Sequence, residues 1–270
     1  MKVTIRATAL ALAACAAAGS AAAVEKYTPY DNFQVGPLDP ARWQDAERSR
    51  MINGGANLRL VQRDWGATTS DSGAAPGISW SETIARGGPV TQLRATLKVA
   101  AVDVTGCAAN PTSSNVRGRV LGSFFNSGNR SAGSSVGDVL AQVWATRASN
   151  SADAPGVLRV EGWLGICTSS DCSTSTQIGS TVALGTVNVN TNVVLQVDWD
   201  RENKQFLFSR DEGAATAVSY AGIDDSADPG AVFKNVSTRT VVANCASGPR
   251  AYGYIDARFD KVQVNAGAKP

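Results

Sequence analysis

The feature that most constrains this chain is a period of two in its apolar residues. In VLRVEGWLGIC (157–167), the apolar side of an extended chain consists of Leu158, Val160, Leu164 and Ile166, and the other side carries Arg159, Glu161 and Trp163. Such alternation is typical of a strand with one face in a protein core. Ten further segments have this character, separated by Gly, Asn, Ser, Asp and Pro: 47–52, 57–63, 90–104, 116–126, 138–147, 177–189, 193–200, 205–210, 238–243 and 251–264.

Eleven strands and no helical pattern beyond residue 23 predict an all-β fold. Within 270 residues, that number favours a two-sheet antiparallel sandwich or jelly roll over a small barrel. No repeat or linker divides the chain, so we expect a single domain over 24–264 and a frayed tail at 265–270. The best-defined hairpin turns at 201–204 and supplies six large apolar side chains to the core: Val193, Leu195, Val197, Trp199, Phe206 and Phe208.

Residues 1–23 have the anatomy of a bacterial export signal. Lys2 and Arg6 form a basic start, an Ala/Leu run covers 7–18, and three alanines at 21–23 offer a cleavage site before Val24. The apolar run is shorter than the roughly 20 residues that span a bilayer, and no later segment is apolar enough. We therefore expect a periplasmic or extracellular protein without a transmembrane segment.

A lipid anchor is the alternative for the same segment. Leu12-Ala13-Ala14-Cys15 matches a bacterial lipobox, in which Cys15 would carry the lipid and hold the protein at a membrane. The short apolar run before Leu12 favours ordinary secretion.

The remaining four cysteines fit an oxidising compartment. The CTSSDC spacing predicts a small loop closed by Cys167 and Cys172, which leaves Cys107 to pair with Cys245. A metal site is the rival, but the chain has no histidine and no repeated CxxC.

The charge balance gives no sign of a nucleic-acid partner. Removal of the signal takes Lys2 and Arg6, which reduces 25 basic residues to 23, against 23 acidic ones. Nucleic-acid binders usually carry a basic excess or stripe, and none is present.

Three predicted strands offer their polar sides to one surface. Their inward positions include Val116, Val120, Phe124, Val139, Ala141, Val143 and Ala145, and their outward positions include Arg117, Arg119, Gln142, Trp144, Arg159, Glu161 and Trp163. Aromatic rings pack on the apolar faces of sugars, and planar polar groups bind hydroxyls, so this surface is predicted to bind carbohydrate. The alternative is a solvated face, on which arginines pair with Glu161 for about 0.2 to 1 kcal/mol.

Both ends of the chain resemble the concanavalin A-like lectin/glucanase superfamily. The start reads YDNFQVGPLDPARWQDAERSRMINGGANLRL and the end AYGYIDARFDKVQV; the matching positions are Asp31, Phe33, Leu38, Asp39, Trp43, Ile52, Gly55, Leu58, Leu60, Phe259, Asp260, Val262 and Val264. The resemblance implies a closing strand beside the first strand pair and a concave sheet as the ligand face. The superfamily holds lectins, glycosidases and lyases, and the interior most resembles exported bacterial members of unknown role.

One departure bears on catalysis. The laminarinase-type hydrolases of that superfamily carry E-x-D-x-x-E on one strand, whereas GWLGI follows Glu161 here. A glycosidase needs a second carboxyl, at about 5–5.5 Å or 6.5–9.5 Å, and Glu47, Asp138 or Glu82 are the candidates. Without histidine, Ser-His-Asp and Cys-His mechanisms are excluded.

Two acidic clusters are candidates for calcium. Asp198, Asp200 and Glu202 run from a strand into a turn, and the stronger candidate set lies in a loop: Asp224, Asp225 and Asp228. Calcium takes six to eight oxygens, and neither cluster is an EF-hand loop.

The sequence therefore predicts an exported sandwich that binds a glycan without catalysis, with Trp144 and Trp163 stacked on sugar rings and no obligatory cofactor. One alternative is a glycoside hydrolase or lyase that uses Glu161 and a second acid. Another is a structural or adhesive envelope protein without a small ligand.

Overall fold

The computed structural model describes residues 46–52, 57–85, 87–128 and 131–268. These residues form fourteen strands and one short 3-10 helix, Ala266–Ala268. The strands are β1 Ala46–Ile52, β2 Leu58–Trp65, β3 Ile78–Thr83, β4 Gln92–Val104, β5 Asn115–Asn126, β6 Asp138–Ala148, β7 Val157–Cys167, β8 Ser175–Gln177, β9 Val182–Asn188, β10 Asn192–Asp200, β11 Gln205–Arg210, β12 Thr216–Ser219, β13 Lys234–Val241 and β14 Tyr252–Val264.

The strands form two antiparallel sheets. Sheet 1 has the order β1-β2-β14-β4-β10-β11-β12, and sheet 2 has the order β3-β13-β5-β6-β7-β8, with β9 also paired to β7. The chain crosses between the sheets repeatedly, as in a jelly roll. The predicted all-β two-sheet sandwich is confirmed, and the closing strand β14 pairs beside β2.

The core lies between the sheets, where the predicted inward positions meet. On sheet 2 the fully buried inward side chains are Val116, Val120, Val139, Ala141, Val143, Ala145, Leu158, Val160 and Leu164, and Phe124 is 4% exposed. Burial of each larger apolar side chain contributes about 1.5 to 3 kcal/mol. The period of two therefore fixes the outer face of sheet 2 as well, because the intervening residues must point away from the core.

The predicted hairpin is formed by β10 and β11. Trp199 lies opposite Phe206 and Val197 opposite Phe208, and all six expected apolar side chains pack in the core. Aromatic contacts extend this packing: Phe125 stacks on Trp199 with ring centroids 5.3 Å apart, and Phe124 meets Phe206 edge-on at 5.0 Å.

The structure differs from the expected strands in three places, and two of these differences have a local physical reason. The single strand expected over 177–189 is instead β8 and β9, because the chain turns between them with Gly179 in the left-handed region (φ 65°). The edge strands β3 and β12 were not predicted. β3 has exposed or half-buried residues throughout, so no apolar alternation marks it.

Both expected disulfides are formed. Cys107 bonds to Cys245, and Cys167 bonds to Cys172. Asp71 lies beside the first pair, but thiols joined in a disulfide are not thiolate ligands.

Residues 265–268, which the sequence assigns to the tail, contact the residues before β4. The Asn265 side chain accepts a hydrogen bond from the Thr91 backbone N–H and donates one to the Pro89 carbonyl, and Ala268 is 4% exposed. These bonds hold the segment against the start of β4.

Several predictions lie outside the described residues: the signal at 1–23, lipidation of Cys15, and the family positions Asp31, Phe33, Leu38, Asp39, Trp43 and Gly55. The domain boundary at 24 also stays a prediction. In the part of the chain that the structure describes, no helix is long and apolar enough to cross a membrane.

Candidate functional site

The strand register places the predicted residues of the ligand face in three adjacent cross-strand rows. The first row is Leu121–Gln142–Trp163, the second is Arg119–Trp144–Glu161, and the third is Arg117–Thr146–Arg159. All of these side chains project from the outer face of sheet 2, because their neighbours along each strand face the core. The predicted residues therefore share one face of sheet 2, on which Arg119, Gln142 and Trp144 are buried.

Strand β13 extends the rows with residues that the sequence did not single out. Asn235 lies opposite Leu121, Ser237 opposite Arg119, and Arg239 opposite Arg117. Ser79 of β3 follows beside Arg239. The inward residues Thr238 and Thr240 are polar although buried, so β13 shows little apolar alternation. The sequence pattern therefore did not identify its outward side chains.

A cleft of about 420 Å³ indents this face. Its lining includes Arg119, Gln142, Trp163, Asn235 and Arg239, with Leu121, Leu140 and Phe233 as apolar neighbours. The Cys167–Cys172 disulfide holds one wall, since residues 171–173 of its loop also line the cleft.

Trp163 is the half-buried aromatic ring of the cleft. It packs against the apolar cluster of Leu121, Leu140 and Cys167. The ring also lies over Gly165, where any Cβ would fall 2.1 Å from a ring carbon. A glycine at position 165 therefore lets the indole lie along its own strand.

Trp144 corrects the sequence prediction, because this ring is not accessible to a sugar. It is 6% exposed, and the Arg117 guanidinium carbon lies 4.6 Å from the ring centroid. Its indole N–H donates a hydrogen bond to Glu161 Oε2 at 2.9 Å. A guanidinium over an indole is a favourable cation–π contact, so Arg117 occupies the place predicted for a ligand.

Glu161 is half-buried and holds Trp144, and two of the proposed acid partners are distant. Asp138 lies six residues along β6 from Trp144, about 20 Å at the usual rise per residue, and its oxygens accept the N–H groups of Gly230 and Ala231. Glu82 points to the opposite face, four strands or about 19 Å from β7, and pairs with Arg50. The side chain of Glu47 lies outside the described residues.

Arg159 lies on this face but does not line the cleft. Its Nε is 2.7 Å from Asp153 Oδ2 in an exposed ion pair. The hydrogen bond to Asp153 raises the pKa of Arg159. Its part in ligand binding stays a prediction, because the ion pair leaves the Arg159 side chain 54% exposed.

Arg117, Arg119 and Arg239, named here the arginine cluster, dominate the electrostatics. Arg119 is 4% exposed and donates to Ser237 Oγ at 3.0 Å, Gln142 Oε1 at 2.8 Å and Ser79 Oγ at 3.0 Å. Arg239 packs against Gly77, where a Cβ would lie 2.6 Å from its Nη2. The cluster thus consists of three cations whose contacts are with uncharged groups.

Burial weakens the hold of all three guanidiniums on their protons. Desolvation lowers the pKa of Arg239, and desolvation followed by the charge of Arg239 lowers that of Arg117 to about 10. The pKa of Arg119 is lowered by desolvation and then by the charges of Arg117 and Arg239. The three cations therefore repel one another in a partly dry environment.

Calcium binding stays a prediction, and the stronger candidate set is not preassembled. Among the described residues, Asp224, Asp225 and Asp228 do not bring their oxygens within 4.8 Å of one another as a group. Asp225 is buried and accepts hydrogen bonds from Lys204 Nζ at 2.5 Å and the Tyr220 hydroxyl at 2.8 Å. A carboxylate that is already neutralised by a lysine makes a poor ligand for a divalent cation.

A second polar cleft, of about 320 Å³, lies on the outer face of sheet 1. Its arginine, Arg94, is paired with Glu212 and hydrogen-bonded to Gln263. No aromatic side chain lines it. The sheet 2 cleft is thus the better candidate, because it combines an accessible indole with unpaired guanidiniums.

No family model matches this chain, and no curated protein matches it either. Similar solved structures include alginate lyase A1-II′ of polysaccharide lyase family 7, at 11% identity over 80% of this chain and 82% of that one, with a TM-score of 0.40. They also include the carbohydrate-binding module CBM66 from Bacillus subtilis (9%, 81% and 93%, TM-score 0.32) and a β-1,3-glucanase from Mycobacterium marinum (12%, 79% and 77%, TM-score 0.34). At these values the function of this chain has to be argued from its own residues.

Proposed function

We propose that this protein is exported and binds a carbohydrate chain, without catalysis, in the cleft on the outer face of sheet 2. The observation that carries the proposal is the union of a half-buried indole, Trp163, with planar hydrogen-bonding groups in one cleft of about 420 Å³. Ligand pockets commonly have volumes of about 300 to 1,000 Å³ and combine an apolar surface with a few polar groups.

Each part of the cleft has a chemical counterpart in a sugar. The Trp163 ring offers an apolar platform for a pyranose face. Gln142, Asn235 and Arg119 supply amide and guanidinium groups for ring hydroxyls, and they lie in the two adjacent rows around the indole. Because both disulfides are formed, the fold also suits the oxidising compartments to which the signal would deliver it.

The non-catalytic part of the proposal rests on Glu161. Its Oε2 accepts the Trp144 indole N–H, and neither Asp138 nor Glu82 stands beside it. A hydrolase that uses Glu161 would need a second carboxyl within about 10 Å, and these two do not supply it.

A glycan array probed with the purified protein tests the proposal. We expect one group of related glycans to bind, and Trp163→Leu to weaken that binding by about tenfold, since stacked aromatic rings are common anchors of binding energy. Leucine keeps an apolar cover over Leu121 and Leu140, so the variant should fold, which its melting temperature checks.

The matched control is Trp65→Leu. Trp65 is also half-buried and ends β2 of sheet 1, so its loss should leave glycan binding unchanged. An array without any bound glycan, or equal affinity for the protein and Trp163→Leu, would refute the proposal.

A further inference from the structure

Resting on the function proposed above, we propose that the bound glycan is anionic, and that its carboxylate or sulfate groups bind to the arginine cluster. A neutral glycan would need hydroxyl-binding groups only. The cleft offers more than that, in the form of concentrated positive charge.

The cluster places like charges next to one another on adjacent strands. Arg117 and Arg239 lie directly opposite each other in the β5–β13 pair, and Arg119 follows two residues further along β5. Like charges at directly opposite positions destabilise a sheet. An arrangement that costs stability is expected where a ligand later compensates it.

None of the three arginines has an ion pair among the described residues. Arg119 donates to two hydroxyls and an amide, and Arg117 donates to Asn115 Oδ1 at 2.9 Å. The Nε atoms of Arg117 and Arg239 are buried without a hydrogen-bond partner, as are those of Arg48 and Arg258, which however each form an ion pair. Buried donors without acceptors are rare in proteins and call for an explanation.

Two described carboxylates on this face, Glu161 and Asp171, form no ion pair with the cluster. Glu161 accepts the Trp144 indole N–H, and its charge acts on Arg117 without a hydrogen bond. Asp171, at the wall of the cleft, accepts Ser169 Oγ and the Ser173 backbone N–H within its own loop. Three cations thus face two acids that are engaged elsewhere.

Most other described arginines pair with an acid; Arg147 is an exception, since it donates to Ser151 Oγ and to three backbone carbonyls. Eight others form ion pairs with aspartate or glutamate: Arg48, Arg50, Arg59, Arg94, Arg159, Arg201, Arg210 and Arg258. The lack of an ion pair is therefore not general among the described arginines. Two members of the arginine cluster, Arg119 and Arg239, line the same cleft as Trp163, which links their charge to the sugar platform.

Guanidinium groups favour a particular kind of anion. Their planar fork matches the two oxygens of a carboxylate or sulfate in paired hydrogen bonds. Arg119 has five N–H donors, and three are used by protein atoms. A uronic acid or a sulfated sugar stacked on Trp163 would meet the remaining donors at the ring edge.

The test measures binding to matched acidic and neutral polymers by isothermal titration calorimetry. The probes are polygalacturonate, polymannuronate and polyguluronate, each also in its carboxyl-reduced neutral form, together with dextran sulfate, dextran and inorganic sulfate. We expect at least one acidic polymer to bind and its neutral counterpart to bind at least tenfold more weakly, or about 1.4 kcal/mol. Preference for a polyuronate or for dextran sulfate identifies the anionic group.

Arg239→Gln should weaken acidic-polymer binding about tenfold. Arg239→Lys keeps the charge but not the planar guanidinium, so its affinity should lie between those of the wild type and Arg239→Gln. Arg94→Gln on sheet 1 makes the same charge change away from the cleft and should have no effect. Melting temperatures check that each variant folds.

Equal affinity for an acidic polymer and its carboxyl-reduced form would overturn the anionic inference and leave the carbohydrate site intact. Binding of neutral array glycans alone would likewise overturn the anionic inference and leave the carbohydrate site intact. Binding of inorganic sulfate as tight as that of any polymer would also overturn it, since an ion alone would then fill the site. No binding to any polymer or array glycan would refute the proposed function itself.

Discussion

The molecule treats buried charge in two opposite ways. Around Asp225, on the loop after β12, one buried carboxylate accepts Lys204 Nζ and the Tyr220 hydroxyl, with Arg201 Nε at 3.5 Å. In the arginine cluster of sheet 2, three guanidiniums gather on neutral partners. Opposite charges offset part of one another's desolvation cost, whereas gathered like charges repel one another, and we propose that a bound anion relieves this repulsion. The sequence offered Asp225 as a ligand site, and its contacts give it a structural role.

The largest expected effect is on the paired region. Asp225→Ala leaves Lys204 and the Tyr220 hydroxyl without their acceptor, and should lower the free energy of unfolding by about 3 kcal/mol. This is the low end for a broken buried pair, because Lys204 and Arg201 remain half-exposed to water. Urea unfolding measures the loss, and Asp224→Ala at the exposed neighbour is the control. Unchanged glycan affinity of the folded variant would sharpen the contrast.

Acid should remove the same contribution. Burial raises the pKa of Asp225, but the hydrogen bonds from Lys204 and Tyr220 and the nearby charges together lower it by more than burial raises it. The net shift of this pKa is therefore downward. A carboxyl with a lowered folded pKa stabilises the protein above its unfolded pKa of about 3.9, and this stability is lost as pH falls through the folded pKa. The difference between wild type and Asp225→Ala should therefore shrink below about pH 4.

Lys234 tests whether every unpaired cation marks a site. Its ammonium is buried in the core side of β13, where it donates to the Gly87 and Ser123 carbonyls and lies 4.4 Å from the Phe124 ring centroid. Burial lowers the pKa of Lys234 to about 8. Between this value and its unfolded pKa near 10.4, the unfolded state binds more protons, so stability should rise with pH.

The expected gain is about 2 kcal/mol between pH 8 and pH 10. It is measured by urea unfolding as the difference between wild type and Lys234→Met, which cancels the other groups that titrate there. A difference that stays flat over this range would contradict the assignment. We therefore assign Lys234 a structural role, and Arg119 and Arg239 differ from it because they line a cleft.

Trp144→Phe tests the correction of the ligand face. Loss of the indole N–H removes the bond to Glu161 and should cost about 1 kcal/mol of stability. Glycan affinity should stay within about twofold of wild type, as phenylalanine retains the contact with Arg117. Abolished binding in a folded variant would return Trp144 to the site.

The smallest expected effect is a gain of stability. Arg239→Gln removes a cation directly opposite Arg117, so the free energy of unfolding should rise by about 0.5 kcal/mol while acidic-glycan binding weakens. Thermal unfolding of this variant beside Arg94→Gln, which breaks the ion pair with Glu212, measures it. A stability loss at Arg239 as large as that at Arg94 would weaken the contrast.

Strict alternation made much of the fold predictable. β7 and β11 begin and end at the predicted residues, since one face of each is apolar. β13 was predicted only from 238, because buried threonines hide its period. The pairing of β13 with β5, which brings Arg239 to Arg117, depends on long-range register and leaves no local signal.

The accessibility of the two indoles on the ligand face was equally out of reach from sequence. Trp144 and Trp163 occupy equivalent outward positions on neighbouring strands. A diagonal arginine covers the first, whereas Gly165 and a disulfide loop leave the second on the cleft. The two indoles therefore differ in accessibility because of the directions taken by side chains on neighbouring strands.

Glycan binding at Trp163 can be followed by a titration with ¹H–¹⁵N NMR detection, because each of the six tryptophans gives one indole N–H signal. Trp163→Leu and Trp199→Phe assign the two signals that matter, one from the cleft and one bonded to Tyr220 near Asp225. With the tightest-binding glycan, the account predicts that the Trp163 signal shifts to saturation while the Trp199 signal stays in place. A stationary Trp163 signal at saturating glycan would contradict it.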